Sequence, residues 1–94
     1  MNRPTFGSKL TNGTTILFIA GWWEGVEGLL PTAVVLCYRD WEPNAPYCVW
    51  SLVEREINGT IHYITEMGAY CATQQEAWFT YKSARANVAR AYER

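Results

Sequence analysis

Few side chains in this sequence could do chemistry, and they are scattered. His62 is the single histidine. A catalytic base needs a nucleophile beside it and usually a carboxylate to orient its ring, whereas the strand register derived below sets Arg55 across from His62, which disfavours a protonated imidazole. Cys71 lies just ahead of a helix start, where the helix dipole can lower a thiol pKa and make a nucleophile. No base stands beside it in the sequence, so a small buried hydrophobe is the simpler reading. Cys37, Cys48 and Cys71 are odd in number and lack CxxC spacing or a histidine cluster, which argues for free buried thiols rather than a disulfide framework or a zinc site. Carboxylates pair up as Glu24 with Glu27, Asp40 with Glu42, and Glu54 with Glu56. The last two share a strand face, as hydrolytic pairs sometimes do, but two acids near a hairpin tip are more simply a soluble end. A third metal ligand of definite position is missing, and Gly25 and Gly28 lack the helix start and lysine of a phosphate cradle. The expectation is a protein with no catalytic residue, no metal and no cofactor, hence a binding function.

The elements that position these residues are clearest from Tyr47 to Tyr92. Asn58-Gly59 suits the two positive φ values of a type I′ turn, so Tyr47–Ile57 should fold back onto Thr60–Tyr70. With Ile57 opposite Thr60, Val53 faces Ile64, Glu54 faces Tyr63, Trp50 faces Met67 and Tyr47 faces Tyr70. Thr73-x-x-Glu76 is a capping box. After it, Ala77, Tyr81, Ala84, Val88 and Ala91 or Tyr92 recur at steps of four and three, one apolar helix face with Trp78 at its margin. Phe79 falls nearly opposite this stripe and is predicted to be exposed, with Lys82 and Arg90 around it.

Upstream, Thr14–Ala20 reads as a first strand running on into Gly21-Trp22-Trp23. Thr32–Tyr38, apolar at successive positions, reads as a central strand covered on both faces. Glu24–Pro31 and Arg39–Pro46 are loops, the latter carrying Trp41. Met1–Leu10 should be a loose arm or a short edge strand ending at the Asn12-Gly13 turn. The fold class is therefore α+β: a single domain over residues 1–94, with a four-stranded antiparallel meander and one long C-terminal helix on one face. Asn12-Gly13-Thr14 and Asn58-Gly59-Thr60 match a glycosylation acceptor but serve better as turns.

The 94 residues are 49% hydrophobic and 15% aromatic, with five Trp and six Tyr, more ring area than one small core easily hides. The formal net charge is −1, so no global field recruits nucleic acid. Neither a signal-peptide pattern nor an apolar run of membrane-spanning length occurs, and a soluble cytoplasmic protein is expected. Trp22, Trp23 and Trp41, in or beside Gly/Pro loops, and Phe79 on the helix are the candidate contact rings for a protein partner, with Arg85 and Arg90 as a polar rim. Two other readings stay open. One is a small-molecule or nucleotide site between sheet and helix. The other is single-strand nucleic-acid binding by Tyr47, Tyr63 and Tyr70 with helix cations, which the acidic sheet disfavours.

The string YCVWSLVEREINGTIHYITEMGAYCATQQEAWF, from Tyr47 to Phe79, resembles a pattern of small accessory proteins of bacteriophages and other mobile elements: a Tyr/Val/Trp strand, a Gly turn, a return strand and a capped T-x-x-E-A-W helix. That group includes anti-CRISPR and other anti-defence inhibitors. The resemblance implies a compact viral inhibitor working in the host bacterial cytoplasm, which blocks a bacterial protein complex such as a CRISPR effector by occupying a surface. It transfers no functional residue. A homodimer through the sheet face left uncovered by the helix is a further expectation.

Overall fold

Asn58 and Gly59 hold φ angles of 51° and 81°, the two left-handed values a type I′ turn demands. Ile57 therefore pairs with Thr60, and Arg55–His62, Glu54–Tyr63 and Val53–Ile64 follow in the expected register. The structure, a computed structural model, describes residues 3–93; Met1 and Asn2, the start of the expected arm, lie outside the described residues. Its elements are β1 (Thr15–Trp23), β2 (Thr32–Tyr38), β3 (Tyr47–Ile57), β4 (Thr60–Cys71) and α1 (Gln74–Tyr92). The strands form one antiparallel sheet in the order β1-β2-β3-β4, with α1 against one face. This is the expected α+β meander.

Beyond Ser51–Glu66 the hairpin departs from the simple register. A bulge sets Met67 and Gly68 against Trp50, so Tyr47 pairs with Cys71 and Cys48 with Tyr70, in place of the expected Tyr47–Tyr70 and Trp50–Met67 partners. The cause is the indole. A Cβ on Gly68 would lie 2.4 Å from Trp50 Nε1, so only glycine lets that ring cross β4, and Met67 takes a φ of 55° to absorb the extra residue. Met67 is consequently 89% exposed.

β2 is buried from Thr32 to Cys37, as its apolar run requires for a strand covered on both sides. Its alternate residues divide the core. Val34 and Leu36, with Val49 and Cys71, face Ala77 and Tyr81 of the helix; Ala33, Val35 and Cys37, with Cys48, Trp50 and Leu52, face away from it. Thr73 caps α1, its hydroxyl accepting from the Glu76 N–H at 3.1 Å. The Glu76 carboxylate reaches back to the Ala72 N–H at 3.3 Å, one residue before the cap itself. Tyr92, rather than the exposed Ala91, completes the apolar stripe, and its hydroxyl bonds Thr32 Oγ1 and donates to the Leu30 carbonyl.

The other face is not bare, which corrects the expectation of an uncovered sheet. Residues 7–10 pair with the start of β1 through Gly7, Ser8 and Leu10, and Lys9 bridges to Thr15, so this segment takes the form of a short edge strand. Leu10 is buried there. Farther back along the chain, Arg3 forks to two carboxylates: Nε to Glu54 Oε1 and Nη1 to Glu24 Oε2, both at 2.8 Å, with its guanidinium 4.8 Å from the centre of the Trp22 ring.

Candidate interaction surface

The groups weighed for chemistry lie in separate parts of the fold. Burial pushes the Cys37 thiol up to about 12 and raises Cys48 and Cys71 as well. Cys71 lies buried behind α1, next to Thr80, as the reading of a small buried hydrophobe expects, and loss of water is the main cause of its raised value. Glu24 and Glu54 are held below the usual carboxylate range, chiefly by their hydrogen bonds to Arg3, and Glu54 also accepts from the Tyr63 hydroxyl at 3.3 Å. His62 is exposed opposite Arg55. Among the described residues no group of three His, Cys, Asp or Glu is placed to hold a metal ion.

The exposed rings are better organised. Phe18 on β1 and Trp78 on α1 meet at 5.1 Å between ring centres, and Trp78 stacks on Tyr81 at 5.5 Å with an interplanar angle of 27°. Tyr81 is buried beneath them, whereas Phe18 is 41% and Trp78 37% exposed. Phe79, 60% exposed, lies one residue around the helix, and Lys82 bridges the two, its Nζ 5.0 Å from the Phe79 ring and 5.9 Å from Trp78. Arg85 lies 5.6 Å over the Tyr81 ring on the side of the following turn. Helical spacing produces this grouping. Residues 78, 81, 82 and 85 are three and four apart and share a face, and the irregularity of β1 between Ile16 and Phe18 brings the Phe18 ring to that face.

Of the expected contact residues, Phe79 and Arg85 fall in this patch. Trp22 and Trp23 do not, and their expected place near water is corrected. Both belong to β1, where successive side chains point to opposite faces, so Trp22 packs at 5.6 Å on Tyr63 and Trp23 joins the helix-side core, each half-buried. Trp41 is 52% exposed but stands apart, its ring against the Asn12-Gly13 turn, where a Cβ on Gly13 would be 3.3 Å away. Arg90 is exposed in the last helical turn and bonds the Asn87 side chain.

Sequence reasoning missed Phe18, and placed Trp78 only at the stripe's margin. The signal for Trp78 was its position three residues before Tyr81; Phe18 had none, because four consecutive apolar residues hide a bulge. The tyrosine platform is also divided. Tyr47 packs on the helix side, while Tyr63 and Tyr70 sit with Trp22 and Trp50 on the opposite face.

A second concave feature, about 510 Å³ in volume, runs between α1 and the β3–β4 side of the sheet, lined by Val49, Val53, Ala69, Ala84 and Val88 among others. No helix among the described residues is long and apolar enough to cross a membrane. Comparison with protein-family models, curated proteins and solved structures finds no match for this chain.

Proposed function

We propose that the protein is a non-enzymatic inhibitor or adaptor that acts by covering a surface of another protein, and that Phe18, Trp78 and Phe79, with Lys82 and Arg85, are its contact surface. The observation that carries this reading is the exposure of the touching rings Phe18 and Trp78, with Phe79 joined to Trp78 through Lys82 and Arg85 beside them. Such a cluster leaves apolar area in water that a partner can bury, and rings and arginine dominate binding hot spots. The resemblance of residues 47–79 to phage accessory proteins makes a bacterial defence complex, a CRISPR effector among them, the first class of partner to test.

The experiment is affinity capture from bacterial lysate with the unaltered protein, Phe79→Ala and Trp78→Ala. A specific partner retained by the first and lost by both variants supports the surface. Equal recovery with all three removes it. A competing reading, a small apolar ligand, draws on the groove between α1 and the sheet. It requires a retained mass in native mass spectrometry of protein purified from cells, which protein binding does not.

A further inference from the structure

The backbone of β4 has one side paired and one side free. The Glu54 N–H bonds the Pro31 carbonyl at 3.0 Å and the Arg39 N–H bonds the Pro46 carbonyl at 2.8 Å, which sets the alternation of pairs in the sheet. Even-numbered residues of β3 aim their backbone groups at β2, and odd-numbered ones aim at β4. Through the β3–β4 register, Thr60, His62, Ile64 and Glu66 bond inward, while Ile61, Tyr63 and Thr65 turn N–H and C=O outward. Among the described residues nothing pairs with these outward groups. The N-terminal segment stops short of them, leaving a groove of about 570 Å³ between Pro4 and Lys9 on one side and Thr60–Thr65 on the other. The opposite edge is a poorer template: β1 has two register shifts, and its start is occupied by Lys9.

Charge on this edge is separated rather than paired. On the helix side of the sheet Arg55 and His62 are cross-strand neighbours with no carboxylate bonded to them among the described residues. Glu66, farther along β4, is bonded to no cation among the described residues, whose salt bridges all use Arg3. All three are exposed, and between them lie the half-buried Val53 and Ile64.

We propose that β4 pairs antiparallel with β4 of a second copy of this chain about a twofold axis at Ile64, joining the two sheets into one. Tyr63 and Thr65 then exchange both backbone hydrogen bonds with Thr65 and Tyr63 of the second copy. Ile64 meets its own equivalent and extends the apolar row begun by Val53. Glu66 lies opposite His62 of the second copy, with Arg55 of that copy next in line, and symmetry makes the match twice. Other registers lose it. An axis at Tyr63 sets Glu66 opposite Thr60, an axis at His62 sets that histidine against itself, and an axis farther along runs into the bulge at Met67–Gly68. This self-association uses a different surface from the ring patch on α1 and does not rest on that proposal.

The test is sedimentation equilibrium of the full chain up to about 200 μM, which detects a dimer with a dissociation constant in that range. The average mass of the unaltered protein should rise with concentration from that of the monomer toward twice that value. Thr65→Pro removes an N–H that points only outward, so it should be monomeric with an unchanged circular dichroism spectrum. Glu66→Arg, at an exposed position that leaves the ladder intact, should weaken the dimer about tenfold or more, because it loses the carboxylate facing His62 and brings like charge near Arg55 of the second copy. Phe79→Ala should leave it unaltered. A monomer at every concentration overturns the proposal, as does a dimer of undiminished affinity in Glu66→Arg or any dimer in folded Thr65→Pro. A monomer that carries a peptide in native mass spectrometry overturns the second copy as occupant of the edge.

Discussion

Against the helix, Val34, Leu36 and Val49 meet Ala77 and Tyr81, all of them buried; the opposite face is crossed by residues 3–14, which bring Leu10 and a charged fork at Arg3. One cover is held by apolar area and is indifferent to ionisation. The other depends partly on two carboxylates remaining charged. A sheet with two apolar faces and one helix among the described residues closes its second face with residues 3–14, whose one short bridge to β1 cannot bury as much as nineteen residues in a helix.

The largest expected effect breaks the helix side. Tyr81→Ala removes a buried ring that touches both the core and the exposed patch, and should cost about 3 kcal/mol in denaturant unfolding. Next comes the opposite face. Gly68→Ala drives a methyl group into the Trp50 indole and should cost about 1–3 kcal/mol, with a changed near-ultraviolet circular dichroism signal from the displaced ring.

Arg3→Ala should lower stability by less than either, and high salt should shrink the difference, because the fork is partly exposed. It also separates the two faces by pH. Glu24 and Glu54 have folded pKa values depressed below the ordinary 4.5, so their contribution is complete above that value and is lost as pH falls through the folded values. The unaltered protein and Tyr81→Ala should share this acid-side loss in a series of thermal melts, and Arg3→Ala should largely lack it. The smallest effect on stability, within about 0.5 kcal/mol, belongs to Phe79→Ala, whose ring touches water and Lys82. Loss of partner binding without loss of stability in that variant would separate the contact surface from the core beneath it.

Much of the fold was legible along the chain. Asn58-Gly59 announced the hairpin, Thr73 and Glu76 the helix start, and the unbroken run Ala33–Cys37 the central strand, since each signal acts within a few residues. The contact surface was legible in part. Phe79 could be placed in water from helical angle alone, whereas Trp22 and Trp23, rightly read as continuing the first strand, were counted among the rings near water and are half-buried. Whether a ring at a strand end reaches water depends on what packs over it, here Tyr63 and the Arg3 fork, which no local pattern carries.

By itself the sequence determined the turn, the strands, the helix and the apolar stripe, because backbone torsion and side-chain periodicity are properties of neighbours. The tertiary structure alone decided the bulge at Met67–Gly68, the union of Phe18 with Trp78 and the reach of Arg3 to Glu54. These follow from the volume of an indole and from contacts between residues fifty-one apart at Arg3–Glu54 and sixty apart at Phe18–Trp78, distances at which the order of residues carries no geometry of its own.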